Sequence, residues 1–138
     1  MQTYETIDLN EYVQTGAGGT AVSYTHNSGK TLVKLYNPGF EADRAKAEFL
    51  TARTVFELGI PTPEPYRLVT DGERFGAEYE MVPNKRSFTR IISQEPERLQ
   101  EISILFAHWA KKLHETAANT HCLRSYKQVV SQFYKEKN

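Results

Sequence analysis

The chain has 138 residues, with 17 lysines and arginines balancing 17 aspartates and glutamates. That length suits one domain or part of one, and a formal charge of zero argues against a broad electrostatic surface for nucleic acid or anionic membrane. The lone cysteine, Cys122, cannot form an internal disulfide, and the scattered His114, His121 and Cys122 lack the spacing of a metal site.

The start, MQTYETIDLNEY, is polar and acidic, unlike a secretory signal, and no apolar run approaches the ~20 residues that span a bilayer. A cytoplasmic location is therefore expected. DLNEYVQT then reads as a strand leading into Gly16-Ala17-Gly18-Gly19, and AVSYTH as the strand that leaves it. Asn27-Ser28-Gly29-Lys30 predicts a hairpin turn before TLVKLY, where Leu32, Lys34 and Tyr36 share one face and Val33 and Leu35 the other. Asn37-Pro38-Gly39 breaks that strand.

From about Glu41 to Leu58 the period changes to that of a helix, with Ala45, Phe49, Ala52 and Phe56 as its apolar stripe. Gly59 suits the C-terminal cap, and Pro61 opens a stiff connector, IPTPEP. YRLVTD and RFGAEYEMV follow as two strands joined at Asp71-Gly72. The remainder is expected to be helical. A short helix is placed near Phe88 to Ser93 and a long one from Pro96 to about Ala118, with Leu99, Ile102, Phe106, Trp109 and Leu113 on one face. A last helix is expected from Ser125 to Asn138, with Val129 and Phe133 apolar. Lys111-Lys112 and Lys135-Glu136-Lys137 read as solvated helix surface. The fold class is α+β, an antiparallel sheet of about five strands with one inserted helix and then a run of helices. The expected boundaries are 1–83 and 84–138.

Within this order lies a set of residues suited to phosphate. Phosphate oxygens need close backbone N–H donors, and glycine permits that approach because no Cβ stands in the way. A Walker A loop would end in Gly-Lys-Ser/Thr and open a helix, and no such ending is present. Lys34 sits mid-strand, where a half-buried ammonium is costly without a partner. Glu48, fourteen residues on and beside the helix stripe, is the natural carboxylate. A lysine on the phosphates held by a helix glutamate is the arrangement of protein-kinase-like folds. Taken singly, each element is commonplace, since turns are often glycine-rich and helix glutamates are usually solvated.

The segments TGAGGTAVSYTH, GKTLVKLYNPG, AEFLTARTVFELGIPTPEPYRLV, DGERFGAEYEMVPNKRSFTRII and FAHWAKKLHET resemble the aminoglycoside phosphotransferase and choline kinase-like branch of the kinase fold. The Glu48 to Gly59-Ile60-Pro61-Thr62-Pro63 spacing is the most specific part, and the resemblance covers about residues 5–127. It implies a protein-kinase-like, ATP-binding N-terminal lobe with Lys34 and Glu48 as an ion pair, followed by the start of a C-terminal lobe. It further implies Gly16, Gly18, Gly19 and Thr20 over the phosphates, and Val22 and Leu32 as the roof above a base. Glu80, Met81 and Val82 become the hinge whose backbone meets adenine. The chain departs from the protein-kinase pattern at its third glycine, where Thr20 or Ala21 stands, and after the hinge, where Asn84-Lys85 replaces the glycine of many relatives.

The family's catalytic aspartate, in a His-Gly-Asp loop, and its magnesium-binding aspartate have no counterpart. His114 is followed by Glu115-Thr116, and the only aspartates are Asp8, Asp43 and Asp71. The expectation is therefore the ATP-binding portion of a small-molecule phosphotransferase, inactive alone, with magnesium expected only in a full-length relative. Such a chain is expected to be a truncated gene product, an excised piece or one half of a split protein. The alternative is a non-catalytic binding or dimerisation module of the same fold. Its partners would be a second copy or a separate C-terminal lobe, with neither nucleic acid nor membrane involved.

Overall fold

The structure, a computed structural model, describes residues 3–116, which form two units, 3–81 and 82–116. The first is built on six strands: β1 (Glu5–Thr6), β2 (Tyr12–Ala17), β3 (Ala21–His26), β4 (Thr31–Tyr36), β5 (Pro65–Thr70) and β6 (Phe75–Glu80). They run in the order β1-β5-β6-β4-β3-β2, and a single helix, α1 (Ala42–Glu57), lies between β4 and β5 in sequence. The class is α+β, but the sheet has six strands rather than five and is mixed rather than antiparallel, because β1 pairs parallel to β5 through Glu5–Val69 and Thr6–Thr70. Two residues carry too little alternation to announce a strand, which is why the polar start conceals β1. The segment DLNEYVQT also divides, with a 3-10 turn at Leu9–Glu11 and β2 beginning only at Tyr12.

Turn chemistry fixes the two hairpins. Gly29 takes φ of 71° between β3 and β4, and Gly72 takes φ of 98° between β5 and β6. In the second turn Asp71 Oδ1 accepts the backbone N–H groups of Glu73 at 3.1 Å and Arg74 at 2.7 Å. The helix α1 stops at Leu58, whose N–H reaches the Thr54 carbonyl, and Gly59 follows with its N–H on the Phe56 carbonyl.

The sheet has two covered faces. On one, Val33, Leu35 and Val69 pack with Ile7, and Leu9, Tyr12 and Tyr24 close around them. On the other, α1 applies Ala45 to Ala21 and Tyr36, and Phe49 to Leu68 and Ala77. Complete burial of Phe49 contributes roughly 2–3 kcal/mol of apolar transfer. Of the expected stripe, Ala45 and Phe49 are buried, while Ala52 and Phe56 are half-buried.

The second unit contains α2 (Phe88–Gln94) and α3 (Leu99–Glu115). Ser87 caps α2 by accepting the Arg90 N–H at 3.2 Å. Pro96–Arg98 forms a separate 3-10 turn, so the long helix begins three residues later than its proline suggests. Arg98 there bonds Glu95 and Glu101. Along α3 the expected apolar face is unevenly used. Ile102 is 3% exposed and Trp109 half-buried, whereas Leu99, Phe106 and Leu113 are 53%, 62% and 47% exposed. The helix expected at Ser125 to Asn138 lies outside the described residues, as do His121 and Cys122. Among the described residues no helix is long and apolar enough to cross a membrane.

Candidate functional site

The glycines at the β2–β3 turn are there neither for conformation nor for room. None of Gly16, Gly18 and Gly19 has a left-handed φ. A Cβ added at Gly18 would come to 3.5 Å from the Ala21 carbonyl, at Gly16 to 3.8 Å from the Ser23 Cβ, and at Gly19 would meet nothing within 4 Å. The turn is held by other groups: the Gly18 N–H on the Ala21 carbonyl at 2.8 Å, the Asn37 N–H on the Thr20 carbonyl at 2.9 Å, and Asn37 Nδ2 on the Gly19 carbonyl at 3.0 Å. Gly16 to Thr20 are all exposed, so the fold leaves a stretch of bare backbone facing solvent.

Strand register carries that bare backbone to the lysine. Gly16 pairs with Ser23, Ser23 with Lys34, and Lys34 with Ala77. Paired residues share a face, so a row of small residues surrounds Lys34 on the α1 side of the sheet, with Gly16 about 10 Å away across two strand spacings. A register shift between Gln14 and Gly16 is what brings Gly16 into this row.

Lys34 and Glu48 meet at 3.6 Å, with side chains 37% and 44% exposed. At that exposure the pair contributes little to stability, up to about 1 kcal/mol. Between them stands Tyr36. The Lys34 ammonium donates to its hydroxyl at 3.2 Å, and that hydroxyl donates to Glu48 Oε2. The same ammonium lies 4.5 Å from the Tyr36 ring centroid. Burial, then the bond to Glu48 and its charge, hold the Tyr36 phenol far above its ordinary range, so its proton stays in place. Nearby Tyr79 is pushed up to about 12, first by burial and then by the Glu48 carboxylate.

The other expected residues fall less neatly. Leu32 lies on the Lys34 face, opposite Tyr79, but Val22 pairs with Leu35 and therefore takes the other face. On the Lys34 face, Ser23 lies opposite Lys34 and Ala21 opposite Tyr36. At the expected hinge, the Glu80 N–H bonds the Glu64 carbonyl at 2.8 Å and the Met81 N–H bonds the Lys30 carbonyl at 3.0 Å, so both donors are spent on backbone carbonyls. Val82, 37% exposed, opens the second unit. Asn84 takes φ of 53°, the left-handed conformation that asparagine tolerates best after glycine.

Two contributors escape a reading of the sequence. Tyr36 is one, though its position two residues from Lys34 on the same strand face was the available signal. Gly76 is the other: a Cβ there would collide with the Lys34 carbonyl and come to 2.9 Å from Leu35 Cα. Only glycine lets β6 lie so close to the lysine strand, and nothing in FGAEYE marks that approach. Beside the glycine turn, Gly19, Thr20, Asn37, Phe40, Glu41 and Arg44 line a groove of about 480 Å³. There Phe40 stacks on Tyr36 at 4.0 Å between centroids, and Arg44 covers Phe40 at 4.7 Å.

Among the described residues no group of three or more histidines, cysteines or carboxylates is placed to hold a metal. No protein-family model matches the chain, and no curated protein matches it.

Proposed function

We propose that residues 3–81 form a nucleotide-binding lobe of protein-kinase-like design, belonging to a cytoplasmic small-molecule phosphotransferase of the aminoglycoside phosphotransferase kind, with ATP as the ligand. The observation that carries this is the row Gly16, Ser23, Lys34, which brings exposed glycine backbone and an ammonium onto one sheet face. In this reading the N–H groups of Gly19 and Thr20 take phosphate oxygens, Gly16 and Gly18 leave the approach clear of any Cβ, and Lys34 neutralises the charge. Glu48 restrains the lysine, and Leu32 covers the base. The Glu80 and Met81 amides are committed to backbone carbonyls and are not offered to adenine. Magnesium belongs to aspartates that this chain does not carry after Asp71.

Calorimetric titration of ATP into the protein and its Lys34→Ala variant tests the proposal. Saturable binding weakened at least about tenfold in the variant is expected, the scale of losing a charge-assisted contact. Equal binding by both proteins would refute the role given to Lys34.

A second reading follows from α3, where Leu99, Ile104, Phe106 and Leu113 are exposed at 53%, 63%, 62% and 47%. That much apolar surface favours a dimerisation module. Sedimentation equilibrium decides it: a dimer that persists without nucleotide supports this reading, and a monomer at all concentrations removes it.

A further inference from the structure

Resting on the nucleotide reading above, we propose that Tyr36 is a positioning residue that holds the Lys34 ammonium in place through its hydroxyl and its ring. The geometry is that of a relay. A phenol has one proton to give and lone pairs to receive. Here the proton goes to Glu48 Oε2 and a lone pair receives the Lys34 N–H at 3.2 Å. The direct separation of Lys34 and Glu48 is longer, 3.6 Å, so the hydroxyl carries the closer link between them.

The phenol is far better fixed than the two charges it joins. Tyr36 is 3% exposed, while the lysine and glutamate side chains are 37% and 44% exposed. Tyr36 packs in the core with Ala21 and Ala45, and its ring stacks on Phe40 with only 7° between the planes. Two long, solvated side chains cannot hold one geometry cheaply, since each gives up rotamer freedom to do so. A buried aromatic between them supplies an anchor whose orientation the core has already set. The ring adds a second hold, because the ammonium sits 4.5 Å from its centroid. Among the described residues, the titratable groups facing the hydroxyl are Lys34 on its own strand, Glu48 on α1, and Tyr79 and Tyr4 nearby.

The test is a double-mutant cycle read by ATP titration, with Tyr36→Phe, Glu48→Gln and the pair, and Lys34→Ala alongside. Tyr36→Phe keeps the ring, its stacking and the cation–π contact, so the fold is retained and circular dichroism verifies this. Removing the hydroxyl is expected to weaken ATP about three- to tenfold. Because the glutamate acts through the hydroxyl, the double variant should bind no more weakly than the worse single variant. A merely structural tyrosine would give additive losses. If Tyr36→Phe binds like the parent while Lys34→Ala loses ATP, the positioning role is overturned and the nucleotide reading stands. If the parent protein itself binds no ATP, the nucleotide reading fails and this inference falls with it.

Discussion

At Gly76 a single hydrogen in place of a methyl decides whether two strands can meet. The built Cβ would stand 2.9 Å from both Leu35 Cα and the Lys34 carbonyl carbon, all backbone atoms that cannot swing aside. Gly76→Ala should therefore cost about 3 kcal/mol or more, read as a large fall in the urea midpoint. A midpoint within experimental scatter of the parent's would mean that β6 moves away from β4 at little cost. Gly29, Gly39, Gly59 and Gly72 are explained by positive φ, and Gly76 by this contact. Of the eight glycines, that leaves Gly16, Gly18 and Gly19 without a structural reason. Sequence alone could not separate them from ordinary turn glycines, because φ and neighbouring atoms make the distinction. Lys34 and Glu48 were legible because their strand and helix periods were clear. Tyr36 was concealed in the same strand, since an aromatic beside a lysine reads as ordinary sheet packing.

Among the elements, the β5–β6 hairpin depends on a carboxylate more than its Asp-Gly signature suggests. Burial alone would raise the Asp71 carboxyl, but the Arg74 backbone N–H, the Arg74 guanidinium and the Glu73 N–H together hold it below its ordinary range. Arg74 in turn reaches the Tyr24 hydroxyl at 3.2 Å, tying the turn to β3. A carboxyl whose folded value is depressed stabilises the fold above its unfolded value, and that contribution fades as pH falls through the folded value. Asp71→Asn should cost about 1 kcal/mol at neutral pH, with the difference from the parent shrinking below about pH 4. Urea titrations of both proteins at several pH values measure this, and a difference that stays constant into acid would exclude the charge as its source. The elements themselves were largely readable: α1, the two hairpins and α2 follow from period and turn chemistry. The strand β1 was not, because two residues held by parallel pairing to β5 leave no pattern of their own. That Val22 shares a face with Leu35 and not with Leu32 was hidden for a related reason. The face a residue takes depends on cross-strand register, and a register shift such as the one between Gln14 and Gly16 is invisible in the sequence.

For the chain as a whole, the proposed nucleotide grip and the absence of any aspartate beyond Asp71 lead to one expectation: binding without turnover. Phosphoryl transfer depends on positioning the acceptor and stabilising charge with metal ions, and ATP held at one end alone provides neither. Incubation with magnesium, ATP and aminoalcohol or aminoglycoside acceptors should yield no phosphorylated product. Clear magnesium-dependent product would show that other residues complete the machinery. The acceptor was beyond reach of the sequence for the same reason, as the residues that would choose it are not among those recognised.

On the proposed function, bare backbone at the β2–β3 turn is kept for a ligand and not for the fold. Gly18→Ala/Gly19→Ala, with melting temperature and ATP affinity measured on the same preparation, tests it most directly. Both positions accept a Cβ without a left-handed φ, and alanine restricts the unfolded chain, so the melting temperature should hold or rise slightly. ATP affinity should fall severalfold, because the added methyl groups keep phosphate oxygens from the amides. Unchanged affinity at unchanged stability would mean that these glycines do not serve the nucleotide.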